Sequence, residues 1–375
     1  MKKIKLLFLH WCLVCGGAEN ALYDLVTLLD KEKFDVTVFT LFEGGEFETK
    51  FKEAGITLIS PYSCIKARKT IFGKIYNRYK GKQIAHAIQN IQDDFLRICR
   101  IGDYDLTIVY HLDTKWKKIS QGINGKKVCY IHGDVETNSN IQQELEQGLY
   151  RWFDKTICVS KRTYEGCKKY ASESYFLQCY NPIDVEKIVY LANEQCKLPE
   201  KYICAVGRLV KVKGFERLIS SFKYLIDNEV DMKLVIVGEG EERSNLEALI
   251  SQLHLQNYVE LVGYKTNPYP YIKNAYCMVN TSYTEGMPVT AMESLVLGTP
   301  IVSMFSGVAE LIESSRAGIV VETEKELQDE LYKMSTDSKY YEEVKNDAIK
   351  QGGCLKNIVN VSKIEEIYEN IVGSK

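Results

Sequence analysis

The stretch Asn280-Thr-Ser-Tyr-Thr-Glu285-Gly286-Met287-Pro288-Val289-Thr-Ala-Met-Glu293-Ser-Leu-Val-Leu-Gly298-Thr-Pro300 decides how the chain is read. It has the form of a strand end, a loop and a helix. Pro288 suits a first helical turn, where its missing N–H would be unpaired anyway, and Gly298 followed by Pro300 closes the helix. A helix starting beside Gly286 turns its free N–H groups and positive dipole end toward whatever lies above the preceding strand, an anion site suited to phosphate. Glu285 in the loop and Glu293 more than one turn along the helix then reach different parts of one extended polar ligand. The competing reading is a capped surface helix with two solvated acids.

Moving outward, Gly207-Arg208-Leu209-Val210-Lys211-Val212-Lys213-Gly214 follows the apolar run Tyr202 to Val206 and precedes Phe215, Leu218, Ile219 and Phe222 at helical spacing. On such a turn Arg208, as a fork, and Lys213, as a point charge, can converge on a diphosphate. Apolar runs at Leu234 to Val237, Val259 to Val262, Cys277 to Asn280 and Ile301 to Ser303 predict further strands, separated by helical patterns. The first half alternates in the same way. Lys3 to His10 is a continuous apolar run that ends near Gly16-Gly17-Ala18-Glu19, and Leu22, Leu25, Val26 and Leu29 recur after it as a helix face. Strands are expected at Val36 to Phe42, Leu106 to Tyr110, Val128 to Ile131 and Thr156 to Val159. Repeated βα alternation predicts doubly wound parallel sheets, and two series meeting near residue 185 predict two of them. Ligands of such sheets bind at the carboxyl ends of strands, so two facing sheets place the expected site in the cleft between them.

The 375 residues suffice for two domains of ordinary size, and 45% apolar with 26% charged residues describes a globular chain. Twelve cysteines scattered through strands and helices form no small disulfide framework and suit a reducing cytoplasm. No stretch approaches the roughly 20 apolar residues of a spanning helix. The amino terminus imitates a signal peptide, with Lys2, Lys3 and Lys5 before Leu6 to Cys15. His10 interrupts the run and no small-residue cleavage site follows, so a buried first strand is the better reading. Net charge is −2 but unevenly spread: residues 1–184 hold 27 Lys+Arg against 22 Asp+Glu, and residues 185–375 hold 21 against 28. The first half is the one suited to an anionic surface.

The combination Glu-Gly-Met-Pro…Ala-Met-Glu-Ser…Gly-Thr-Pro, with Gly-Arg-Leu…Lys-Gly before it, resembles the donor site of retaining glycosyltransferases of family 4. The resemblance spans nearly the whole chain and is strongest from residue 201 to 313. It implies an α/β GT-B fold: two doubly wound, Rossmann-like parallel-sheet domains facing across a cleft. The expected division is an acceptor-binding domain, 1–184, with the carboxyl-terminal helix (Ile358 to Ile371) packing back on it, and a donor-binding domain, 185–357. It further implies that Arg208, Lys213 and the backbone at Gly286, Met287, Pro288 and Val289 stabilise the leaving diphosphate. Glu293 would hold ribose hydroxyls and Glu285 the sugar. Tyr264, after Gly263, lies where the family contacts the base. Gly16 and Gly17 resemble the family's amino-terminal glycine loop, which lies against donor phosphate and acceptor, and His132 in Tyr130-Ile131-His132-Gly133-Asp134 resembles its histidine loop beside the donor sugar. Glu310, in Ser306-Gly307-Val308-Ala309-Glu310, resembles its late glycine loop near ribose or sugar, and is equally readable as an ordinary helix-start carboxylate.

Three lookalikes are set aside. Trp11-Cys12-Leu13-Val14-Cys15 copies a thioredoxin motif, but the helix that would lower a thiol pKa begins only after Gly16-Gly17. Gly238-Glu239-Gly240 opens a dinucleotide fingerprint that fails at Arg243, and reads as a packing turn. Asp103-Tyr104-Asp105 matches a metal signature of the other large glycosyltransferase fold, yet it precedes its strand instead of ending it. No cofactor or metal is therefore expected.

Lys66, Arg68, Lys69, Lys74, Arg78, Lys80 and Lys82 are seven cations without an acid, interleaved with aromatics. They read either as a solvated loop and helix or as a surface resting on anionic lipid. Near-neutral total charge and the lack of a base-reading module exclude nucleic acid as a partner. The reading as a whole is a metal-independent, retaining hexosyltransferase, cytoplasmic and peripheral on the inner face of the cell membrane. A UDP-sugar is the expected donor and a lipid-linked saccharide the expected acceptor, in surface polysaccharide biosynthesis. The alternatives are a sugar-nucleotide hydrolase or epimerase on the same fold, or a catalytically silent sugar- or membrane-binding module.

Overall fold

The structure, a computed structural model, describes residues 2–14, 16–45, 47–63, 103–312 and 315–374. Two compact units make up the chain: Met1–Cys179 with Val361–Lys375, and Tyr180–Asn360. The division falls after Cys179, a few residues before the sequence-based boundary at 184.

Apart from a short parallel pair, Phe42–Glu43 with Tyr62–Ser63, the described strands of the first unit are β1 (Ile4–His10), β2 (Phe34–Thr40), β3 (Thr57–Ile59), β4 (Leu106–Val109), β5 (Lys126–Ile131), β6 (Lys155–Cys158) and β7 (Phe176–Gln178). They form one sheet in the order β3-β2-β1-β4-β5-β6-β7, every neighbouring pair parallel. The central strands are apolar along their length because a parallel sheet is covered on both faces. Leu6, Leu7, Phe8 and Leu9 in β1, and Leu106, Ile108 and Val109 in β4, are fully buried. Each such side chain contributes about 1.5–3 kcal/mol relative to exposure.

The second unit contains β8 (Tyr202–Val206), β9 (Lys233–Val237), β10 (Val259–Gly263), β11 (Cys277–Asn280), β12 (Ile301–Ser303) and β13 (Gly318–Val320). Its order, β10-β9-β8-β11-β12-β13, is again all parallel. Both sheets are doubly wound. Winding reverses between β1 and β4 in the first and between β8 and β11 in the second, and in such sheets the crevice for a ligand opens at the carboxyl ends of those strands.

The carboxyl-terminal pattern resolves into two helices. Ile358 ends the helix Ser338–Ile358, and a separate helix, Ser362–Gly373, belongs to the first unit. The expectation of one helix beginning at Ile358 is corrected: the break at Val359–Val361 separates a helix of one unit from a helix of the other. Tyr368 carries the attachment. It is fully buried, meets Phe8 edge-on at 6.5 Å between ring centroids, and its hydroxyl is 2.7 Å from that of Tyr130. The Glu365 carboxylate accepts from the Asp30 amide at 2.7 Å, and Glu369 pairs with Lys33 at 3.1 Å. No helix among the described residues is long and apolar enough to cross a membrane.

Candidate active site

At the winding reversal of the second sheet, β8 runs into Gly207-Arg208 and β11 into Thr281-Ser282. The two loops are stitched together. Thr281 Oγ1 donates to the Lys213 carbonyl at 3.0 Å, and the Tyr283 amide donates to the Val212 carbonyl at 2.8 Å. Arg217, on the helix Phe215–Asp227, donates through Nε to the Thr281 carbonyl at 2.7 Å and through Nη2 to the Ser282 carbonyl at 3.0 Å, while its guanidinium lies 4.0 Å from the Tyr283 ring centroid. Gly214 allows the close approach: its φ is +62°, and a Cβ there would stand 2.3 Å from the Thr281 carbonyl oxygen. Any other residue would push the loops apart.

Within this frame Lys213 Nζ pairs with Glu285 Oε1, which also accepts from Ser282 Oγ at 2.7 Å. Both partners are mostly buried, the side chains being 25% and 16% exposed. The Lys213 stem passes Gly207, so its ammonium lies near the start of the loop that carries Arg208, which is exposed. Thus Lys213, Glu285 and Arg208 are brought to one strand edge. The sequence separates the first two by 72 positions, and nothing local announces their pairing.

The helix after this loop is Val289–Val296, and Pro288 is its N-cap, with ψ 109° in the extended region. This corrects the expected start beside Gly286. Proline's fixed φ fits the cap as well as the first turn, and the residue before a proline resists helical geometry, so Gly286 and Met287 stay in the loop. No side chain caps the helix, leaving the first-turn N–H groups turned to the loop side. At the other end Gly298, with φ +70°, makes the left-handed stop: its amide donates to the Leu295 carbonyl and that of Thr299 to the Ser294 carbonyl, both at 2.9 Å. Glu293 lies in the second turn and is buried, with 7% exposure. Tyr264, just past β10, is 49% exposed. Glu310 lies in the short helix Ala309–Ile312 and accepts from the Tyr180 hydroxyl at 3.3 Å.

Gly238 and Gly240 sit against the carbonyls of Gly207 and Leu209, and Arg243 joins the Glu239 carboxylate at 2.6 Å and the Leu261 carbonyl at 3.1 Å. The broken fingerprint is therefore a packing device. Asp105 accepts from the Lys5 amide at 2.8 Å and Asp103 from Asn124 at 3.0 Å, both ahead of β4, at the amino edge of the sheet. Among the described residues no group of His, Cys, Asp or Glu has the geometry to hold a metal ion.

In the first unit, Gly16 is the N-cap of the helix Gly17–Leu28, and His132 follows β5. His132 has company that sequence reasoning did not assign. His10 ends β1, His111 follows β4, and their Nε2 atoms are 3.2 Å apart; the His111 and His132 ring centroids are 5.3 Å apart. Burial, helped by mutual repulsion, holds His10 down at about 3, burial alone holds His111 at about 4, and His132 lies well below the ordinary histidine value for the same reasons as His10. Glu19 Oε1 is 3.8 Å from His10 Nε2. A pattern search for strand-terminal histidines across all βα units would have found the group. The cations Lys66, Arg68, Lys69, Lys74, Arg78, Lys80 and Lys82 lie outside the described residues.

Residues 15–187 match the family described as Glycosyltransferase Family 4, and residues 190–351 match Glycosyl transferases group 1. A Campylobacter jejuni protein named N-acetylgalactosamine-N,N'-diacetylbacillosaminyl-diphospho-undecaprenol 4-alpha-N-acetylgalactosaminyltransferase is 36% identical over 321 residues, 83% of this chain and 84% of that protein. The chain belongs to glycosyltransferase family 4. An uncharacterized glycosyltransferase of Methanocaldococcus jannaschii is also 36% identical, over 56% of this chain and 57% of that protein. The crystal structure of Anabaena HepE in complex with UDP and glucose superposes with a TM-score of 0.76 at 18% identity, covering 99% of this chain and all of that one. The fold of this family 4 enzyme is GT-B, with two parallel-sheet α/β domains.

Proposed function

We propose that this glycosyltransferase moves a hexose from a UDP-sugar, with retention of configuration, to a lipid-linked saccharide during surface polysaccharide assembly at the cytoplasmic membrane face. The observation that carries the reading is the Lys213–Glu285–Ser282 chain, held between two stitched loops beside an uncapped helix start. Supporting the donor is HepE, solved with UDP and glucose; supporting the acceptor is the Campylobacter relative, whose name places its saccharide on diphospho-undecaprenol.

In this reading Arg208, Lys213 and the first N–H groups after Pro288 meet the charge that grows on the departing diphosphate, a preorganised electrostatic contribution that rises toward the transition state. Lys213 is already at hand, and its partner Glu285 is then released toward hydroxyls of the donor sugar. On the second unit Glu293 takes the ribose, Tyr264 the base and Glu310 ribose or sugar; on the first, Gly16, Gly17 and His132 keep the roles that the family resemblance implies for them. The acceptor hydroxyl attacks from the leaving-group face and its proton passes to phosphate, so no second carboxylate is required and no metal enters. Lys66, Arg68, Lys69, Lys74, Arg78, Lys80 and Lys82 rest on anionic lipid; neutralising several of them, or raising salt, weakens vesicle binding while a water-soluble acceptor analogue still turns over.

The testing experiment is a screen of nucleotide sugars by diphosphate release, with membrane extract as acceptor source. The reading expects release with a UDP-sugar that depends on the extract. Equal release without acceptor would replace the transferase by a hydrolase.

A further inference from the structure

One carboxylate oxygen in the second unit is claimed twice. Lys213 Nζ and Ser282 Oγ both donate to Glu285 Oε1, the hydroxyl at 2.7 Å. A carboxylate oxygen has two lone pairs, so these two donors fill it.

The donors are held in different ways. Ser282 is 3% exposed and tied at three points: its amide donates to Asn280 Oδ1 at 2.9 Å, its carbonyl accepts from Arg217 Nη2 at 3.0 Å, and its hydroxyl reaches Glu285. Asn280, the last residue of β11, is itself buried, so the serine is anchored to the sheet. Lys213 is anchored through its backbone, whose amide donates to the Val210 carbonyl and whose carbonyl accepts from Thr281 Oγ1, both at 3.0 Å. Its ammonium stands at the end of a flexible four-carbon stem, and the side chain is 25% exposed. The lysine head can turn to another anion; the serine hydroxyl stays.

A diphosphate offers that ammonium more than one negative charge in place of one. When Lys213 turns to it, Oε1 loses one donor and keeps the other. Glu285 then holds a free lone pair and a less compensated charge, and hydrogen bonds to an ionised acceptor are roughly twice as strong as neutral ones. A mostly buried acceptor that has lost its donor costs free energy, which a sugar hydroxyl recovers.

We infer that the Lys213–Glu285 pair is a lock on the sugar-reading carboxylate, opened by the diphosphate of the donor, and that Ser282 is the positioning residue that keeps Glu285 in place while it opens. This rests on the proposed roles of Lys213 toward diphosphate and Glu285 toward sugar, and adds to them a dependence: the sugar is gripped fully only with the diphosphate in place. By linkage the two parts of the donor bind with positive coupling, each raising affinity for the other by the same factor.

The test is calorimetric titration of UDP into wild type, Glu285→Gln, Lys213→Met, the double variant and Ser282→Ala. Each is titrated alone and with an excess of glucose, galactose, N-acetylglucosamine or N-acetylgalactosamine. Glu285→Gln is expected to raise UDP affinity about 5-fold, the lower end of typical coupling between sites, because Lys213 no longer has to leave a partner. That gain disappears when Lys213→Met is added. At least one of the four hexoses raises the affinity of wild type for UDP by a similar factor. Ser282→Ala abolishes the hexose effect and leaves affinity for UDP alone unaltered, and Ser282→Thr, which keeps the hydroxyl, restores it. Glu285→Ala takes the place of Glu285→Gln should that chain fail to fold. A gain that persists in the double variant reports plain repulsion between carboxylate and phosphate and overturns the lock, as do unchanged UDP affinity in the folded Glu285 variant and the lack of any hexose effect in wild type. A hexose effect that survives Ser282→Ala overturns the role of the serine. Failure of the underlying reading has its own sign: Lys213→Met then binds UDP as wild type does, and the lock falls with it.

Discussion

The two sheets reverse their winding in the same way, beside β8 in one unit and beside β1 in the other, yet the side chains gathered there differ in kind. At β8 and β11 the floor is ionic, Lys213 against Glu285 with Arg208 on the same loop. At β1 and β4 the strand-terminal rings are neutral, His10 against His111, with the Glu19 carboxylate 3.8 Å from His10. Equivalent backbone positions thus carry opposite electrostatic designs. The difference is set by strand ends and the loops that follow them, because the strands beneath are apolar in both units. A fixed scaffold places a crevice, and a few strand-terminal residues choose what enters it.

The largest effect should come from Lys213→Ala. Turnover falls about 100-fold or more with the fold retained, as loss of a preorganised donor to a developing anion does. A folded variant of near-normal rate would remove the ionic half of the comparison.

Acid should act on the neutral half. Unfolded histidine titrates near 6.5, and folded His10 near 3. Between those values the native chain binds fewer protons than the unfolded one, so stability is full above the unfolded value and is lost as pH falls toward the folded one. For His10 the loss is about 2 kcal/mol between pH 6.5 and 5, at about 1.4 kcal/mol per pH unit. Thermal unfolding of wild type and His10→Gln across that range checks it: the variant's pH slope should be flatter.

Arg217→Ala should lower kcat about 10-fold while moving KM less, since the residue holds the Thr281 and Ser282 carbonyls and touches no reacting atom. A change confined to KM would argue that the loop itself binds donor. Tyr368→Phe removes the Tyr130 hydrogen bond and should cost about 1 kcal/mol of stability in the first unit, leaving UDP affinity unaltered. EDTA should have the smallest effect, none on the rate. Abolition by EDTA with rescue by manganese would reopen Asp103 and Asp105.

Much of this was legible in advance. The interior strands showed as continuous apolar runs because both their faces are covered. The edge strands Thr57–Ile59, Phe176–Gln178 and Gly318–Val320 did not: they are short and only partly covered, so no continuous apolar run marks them, whereas the equally short Ile301–Ser303 is wholly buried. Glu285, Glu293, Arg208 and Lys213 were named from local spacing, and the structure pairs Lys213 with Glu285. Arg217 and Ser282, which fix the geometry, carry no such signature. His10 was visible as an interruption of an apolar run, but its meaning depends on His111, 101 positions away, a contact that exists only after the sheet is formed. Pro288 was placed in the first helical turn and is the N-cap instead, because proline fits both positions.

The central claim, that the second unit holds the nucleoside diphosphate through its cations and the first does not, is met most directly by calorimetric titration of UDP into wild type, Lys213→Ala and His111→Gln. Equal affinity is expected for wild type and His111→Gln, and a loss of about 10-fold or more for Lys213→Ala. Full affinity in a folded Lys213→Ala chain, or an equal loss in His111→Gln, would contradict it.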